Sequence, residues 1–210
     1  MKKKATNNLE AIAEKIRDFF STRDTAREEV IRLCREVIRY SANAIRAVHR
    51  QDQAGAKQLL GFAHDSLRQI SKSVPKEHND LLYGGIIHDA QKEFAEANIT
   101  LALVTGDVIP TPEAAGVTYA AYLNGMGEAV GELRRYLLDS LRRDELSRCE
   151  ELLAIMDDIY SILVTMDFPD AITFGLRRTT DSVRGILEKT RGDLTLVLRQ
   201  KALEDKLKSK

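Results

Sequence analysis

The chain has 210 residues, 43% of them hydrophobic and 30% charged, and 32 basic residues balance 32 acidic ones. No bulk charge therefore advertises a nucleic-acid partner, and that argument must come from how the charges are distributed. Cys34 and Cys149 are single and scattered, which excludes a disulfide framework and a cysteine-rich zinc site.

With 12 Gly, 4 Pro, no Trp and abundant Ala, Leu, Arg and Glu, the composition predicts an all-α protein. Nothing resembles an interdomain linker, so one domain over 1–210 is expected, with 1–7 and 203–210 frayed. Met1-Lys2-Lys3-Lys4 is not followed by an apolar signal segment, and no run of about 18 apolar residues occurs. A cytoplasmic protein with no membrane partner and reduced cysteines is expected.

Residues 7–20 predict a short amphipathic helix with Leu9, Ile12, Ile16, Phe19 and Phe20 on its apolar side. Ser21-Thr22-Arg23-Asp24 reads as an interruption. Thr25 and Glu28 have capping-box spacing and open a second helix to about residue 51. On a helical wheel Arg32, Arg35, Arg39, Arg46 and Arg50 share one narrow stripe, opposite Val30, Leu33, Cys34, Val37, Ala44, Ile45 and Val48. Such a stripe is commonly a solvated face. Its near-lack of acids also suits a phosphate backbone, because guanidinium is a rigid fork of donors.

A third helix is expected over 54–73 and a fourth from His78 to Val104. The fourth has Tyr83, Ile86, Ile87, Ala90, Phe94, Ala97, Leu101 and Val104 as its core stripe. Glu93 borders that stripe, while Asp89, Glu96 and Thr100 fall on the side away from it. Residues 106–112 form the clearest loop. A fifth helix then runs to about Arg143, a sixth from Glu145 to Met166, and a long last one beyond Asp167-Phe168-Pro169. Seven helices with short connections predict a bundle.

Glu93 and Glu96 are three residues apart, and Glu128 and Glu132 four apart, so each pair shares a helix side. Taken alone, either pair reads first as solvated acids. Gly125, Gly127 and Gly131 within the fifth helix each cost about 1 kcal/mol relative to Ala, which implies a packing or binding reason. Should the pairs converge, four carboxylates without His or Cys would select a hard divalent ion such as magnesium or manganese. That chemistry is metal-assisted phosphodiester hydrolysis. His49, His64, His78 and His88 show no partner spacing, and Glu-x-x-His, which a di-iron bundle needs, is missing from both pairs.

Several blocks resemble the translin family. They are residues 19–28 (Phe-Phe-Ser-Thr-Arg-Asp-Thr-Ala-Arg-Glu), residues 43–50, Glu93-Phe94-Ala95-Glu96-Ala97, and residues 122–133 around Gly125 and Glu128. They occur in the family's order over about residues 8–200. The acidic pairs resemble those of translin-associated factor X, the nuclease subunit, and the compact length suggests an archaeal homologue. The resemblance implies a seven-helix translin-type fold, a hollow octamer-like homo-oligomer, and magnesium-dependent endonucleolytic cleavage of single-stranded RNA, with DNA left open.

On that resemblance Glu93 and Glu96 match two catalytic glutamates. Glu128 falls where the eukaryotic nuclease subunit has aspartate, and Glu132 where it has glutamate. All four are thus candidate catalytic residues and metal ligands, and the Arg32–Arg50 stripe is the candidate RNA contact. Arg134, Arg135, Arg177, Arg178, Arg184 and Arg191 are expected in ion pairs. The contrasting readings are a translin-like scaffold that binds RNA or DNA without cutting, and a purely structural helical oligomer.

Overall fold

The computed structural model describes residues 2–208. Among them are eight α-helices and one 3-10 helix, and no strand. The α-helices are α1 (Lys2–His49), α2 (Gln53–Ser73), α3 (Gly85–Thr105), α4 (Pro112–Ala115), α5 (Tyr119–Arg142), α6 (Cys149–Val164), α7 (Asp170–Thr173) and α8 (Leu176–Lys208). The 3-10 helix spans Lys76–Tyr83. Backbone is helical at both described ends; of the segments expected to fray, residues 1 and 209–210 lie outside the described residues.

The two N-terminal helices expected from the sequence are one, α1. Ser21 to Asp24 holds neither Gly nor Pro, so nothing forces a break. The Thr25 hydroxyl donates to the Ser21 carbonyl at 3.0 Å, a bond within a continuing helix rather than a cap. Arg23 instead ties the helix sideways, its guanidinium donating to both carboxylate oxygens of Asp80. Phe19 and Phe20 meet edge to face, and Phe19 packs on the buried His78 ring, yet Leu9, Ile12, Ile16, Phe19 and Phe20 all remain exposed.

The helical reading from His78 is also revised. Gly84 is extended (φ −72, ψ 150) and separates the 3-10 turn from α3. Tyr83, placed in the core by the wheel, is therefore 78% exposed, and Ile86 is exposed too. The last helix is broken near its start by left-handed backbone at Phe174 (φ 53) and Gly175 (φ 80), which splits off α7.

Helices α1 and α2 pack as a pair, α3 lies between α1 and α5, and α5 in turn packs on α6 and α8. Val30, Leu33, Val37, Ala44 and Val48 of α1 face Phe94, Ala97 and Leu101 of α3 in a core that continues through Leu133, Leu137, Leu152, Met156 and Leu194. Because α3 is covered on two sides, two residues of its supposedly outer line are buried as well, while Asp89 stays exposed. Thr100 is wholly buried and Glu96 is 8% exposed. This corrects the wheel, which assumes a single apolar face. Cys34 and Cys149 are buried free thiols, and burial pushes Cys34 up to about 11. No helix among the described residues is long and apolar enough to cross a membrane.

Candidate metal centre and substrate cleft

Residue 125 decides how α3 and α5 meet. A Cβ there would lie 2.6 Å from the Lys92 carbonyl oxygen and 2.9 Å from both the Glu96 amide and Ala95 Cβ. Only glycine lets the two backbones approach this closely, at the turn that carries Glu93 and Glu96. Glu128, three residues after Gly125, is thereby delivered to the same place. Carboxylate oxygens of Glu93, Glu96 and Glu128 all lie within 4.8 Å of one another. These residues line an open cleft of about 970 Å³ bounded by α3, α5 and the α7–α8 turn.

The electrostatics are those of a crowded anionic site. Burial, then the charges of Glu93, Glu128 and Glu132, push the Glu96 carboxyl up to about 8. Glu93 is raised as well, chiefly by burial. The Lys92 ammonium donates to Glu128 Oε1 at 2.6 Å and stands 3.9 Å from Glu93. Burial alone would lower Lys92, but the bond to Glu128 and the surrounding carboxylates outweigh it and raise it. A three-carboxylate, oxygen-only donor set fits a hard divalent cation, and an acid near pKa 8 is a group whose charge such an ion would stabilise. The protein answers part of that charge with Lys92.

Glu132 is the exception among the four acids expected as ligands. Its carboxylate accepts a hydrogen bond from His49 Nε2 at 2.5 Å, and Arg135 lies 3.8 Å away. The His49 bond holds it below the ordinary glutamate range despite its burial. So engaged, Glu132 stands apart from the three converging carboxylates. His49, for which the sequence shows no partner spacing, is the residue the sequence hid. It sits at the end of α1, 83 positions from Glu132, and no spacing rule spans that distance.

None of the five stripe arginines lines the cleft. All are exposed, four on α1 and Arg50 in the turn just after it, and their surroundings differ. The Arg32 fork is taken by Glu29 (2.7 and 2.8 Å) and Glu36 (2.8 Å), so the stripe is less free of acids than it reads. Arg46 donates to Asn43, and Arg39 lies 5.1 Å from the Tyr40 ring centre. Of the other arginines, Arg134 pairs with Asp193, Arg135 with Glu132, Arg177 with Asp167, Arg184 with Glu188 and Arg191 with Asp157. Arg178 departs from that expectation. It lines the cleft.

Fold and site together define an all-helical protein with a carboxylate-lined cleft between packed helices. No family model matches the chain. The chain is 31% identical over 196 residues to an uncharacterized protein of Methanocaldococcus jannaschii, covering 91% of this chain and 85% of that one. Its fold matches AfC3PO with a TM-score of 0.81 at 31% identity, over 90% of this chain and 97% of that one. The complex of AfC3PO with duplex RNA gives the same TM-score and coverage at 32% identity. Apo-NeC3PO, at 18% identity, TM-score 0.78 and coverage of 88% and 96%, shares the fold alone. The chain belongs to the translin family, in its archaeal branch.

Proposed function

We propose that this protein is a divalent-cation-dependent endoribonuclease acting on single-stranded RNA. The observation that carries the reading is the meeting of Glu93, Glu96 and Glu128 in an open cleft, forced by the α3–α5 contact at Gly125. RNA as the ligand class is supported by the likeness to AfC3PO, a protein solved with duplex RNA. In this reading the three glutamates hold magnesium or manganese. Bound there, the ion supplies Lewis-acid stabilisation of charge on a phosphoryl oxygen. Glu132, fixed by His49, keeps the negative field on the α5 side of the cleft, and Lys92 sets the orientation of the Glu128 carboxylate.

Assembly into a homo-oligomeric, octamer-like shell belongs to the same proposal. The exposed apolar stripe from Leu9 to Phe20 supports it, because a long apolar face on a helix that leaves its own core calls for a partner. The test of the function is cleavage of a labelled single-stranded RNA in Mg²⁺. Wild-type protein cuts it, and the Glu93→Ala/Glu96→Ala double variant is slowed at least a hundredfold. Equal rates would sink the assignment.

One observation favours a second reading, a scaffold that binds RNA without cutting it. The Lys92 ammonium already neutralises Glu128, so the cluster has a built-in cation. RNA binding that survives EDTA, with no cleavage in Mg²⁺ or Mn²⁺, marks that case.

A further inference from the structure

The wall of the cleft facing the carboxylates contains an exposed aromatic ring held in an unusual backbone conformation. Phe174 closes α7 with φ 53 and ψ 45, a left-handed geometry that non-glycine residues adopt at a cost. One face of its ring stacks on His88, with ring centres 4.0 Å apart and planes 9° from parallel. Phe174 is nevertheless 48% exposed, so its side chain is not sealed under its neighbours.

The fold takes trouble to keep it there. Asn124 is buried on α5; its amide donates to the Thr173 carbonyl at 2.8 Å, and its carbonyl accepts from the Thr179 hydroxyl at 2.7 Å. Those two bonds bracket Phe174 and pin the α7–α8 turn to the helix that carries Glu128. His88 beneath the ring is 8% exposed, and its Nδ1 has no hydrogen-bond partner among the described residues. Four residues after Phe174, in the first turn of α8, lies Arg178. It is exposed and lines the same cleft, and among the described residues its guanidinium has no ion pair or hydrogen bond.

We propose that Phe174 and Arg178 form a nucleotide subsite beside the carboxylates, the ring stacking an unpaired nucleobase and the guanidinium holding a neighbouring phosphate. The inference rests on reading the cleft as an RNA site. An aromatic face accepts any base, so the subsite grips without demanding sequence, and Arg adds a planar cation for the backbone. Base pairs stacked inside a duplex cannot offer a free face, so the subsite selects single-stranded or frayed RNA.

The test uses a single-stranded oligoribonucleotide carrying 2-aminopurine, with the full-length protein and Ca²⁺ in place of Mg²⁺. Stacking quenches the fluorophore. Wild-type protein quenches it; Phe174→Ala loses the quench and weakens binding about tenfold, within the roughly 1–3 kcal/mol of a stacked base. Phe174→Tyr retains both properties. Should Phe174→Ala fail to fold, Phe174→Leu, which keeps an apolar contact with His88, takes its place. Arg178→Ala lowers the slope of log affinity against log salt by about 0.7, the loss of one single-strand phosphate contact. Unchanged quenching in Phe174→Ala (or in Phe174→Leu where it stands in), or an unchanged salt slope in Arg178→Ala, overturns the subsite while leaving the RNA site intact. No binding by wild-type protein overturns both.

Discussion

A carboxyl group that is 8% exposed and close to two others must keep its proton or be matched by a cation. Glu96 is that group. Its carboxyl is raised from 4.5 to about 8 in the folded chain, so folded protein holds the proton more tightly than unfolded. The resulting stability is fully present below about pH 4.5, is lost progressively as the pH rises toward 8, and changes no further above it. Denaturation of metal-free protein is expected to show that decline, and Glu96→Gln to flatten it. Divalent-cation affinity runs the other way, rising with pH up to about 8 because binding expels the Glu96 proton. A pH-independent affinity would contradict the assignment. Of the residues around this centre, Glu93, Glu96 and Glu128 are legible in the sequence by spacing and family likeness. His49 and Lys92 are not, since a partner 83 residues distant in the first case, and a routine surface-type lysine in the second, leave no local pattern.

Among the elements, the α3–α5 contact governs the site. Gly125→Ala forces a methyl against the Lys92 carbonyl and Ala95, and there is no flexible side-chain end to give way. It is expected to destabilise the protein by about 1–3 kcal/mol and to weaken manganese binding as Glu128 draws back from α3. Gly131→Ala is the control: its nearest heavy atom would be 3.9 Å away, so helix propensity makes the change neutral or stabilising. Urea denaturation with manganese titration of both variants checks this. The sequence showed that these glycines needed a reason and left open which one. Elsewhere, helix existence was legible and helix boundaries were less so. The run from Ser21 to Asp24 looked like a break but lacks Gly and Pro, whereas Gly84 and the Phe174-Gly175 pair do break helices where periodicity ran on. Wheel reasoning also failed at Glu96 and Thr100, because α3 is covered on two faces and the wheel allows for one.

At the scale of the whole molecule, the described chain has two kinds of unfinished surface. One is the exposed apolar stripe of α1, suited to another subunit; the other is the cleft, whose acidic wall and Phe174–Arg178 wall face a common space. The all-α bundle and its family followed from composition and residue blocks. The convergence of α3 and α5 did not, since it depends on which helices become neighbours. That convergence is the central claim, and a crystal structure of the protein soaked in Mn²⁺ tests it most directly. An anomalous-scattering peak is expected within about 2.0–2.3 Å of carboxylate oxygens from Glu93, Glu96 and Glu128, with Lys92 displaced from Glu128 and Glu132 still bonded to His49. Soaked crystals with no manganese at these three residues, or with the ion held elsewhere in the cleft, would contradict it.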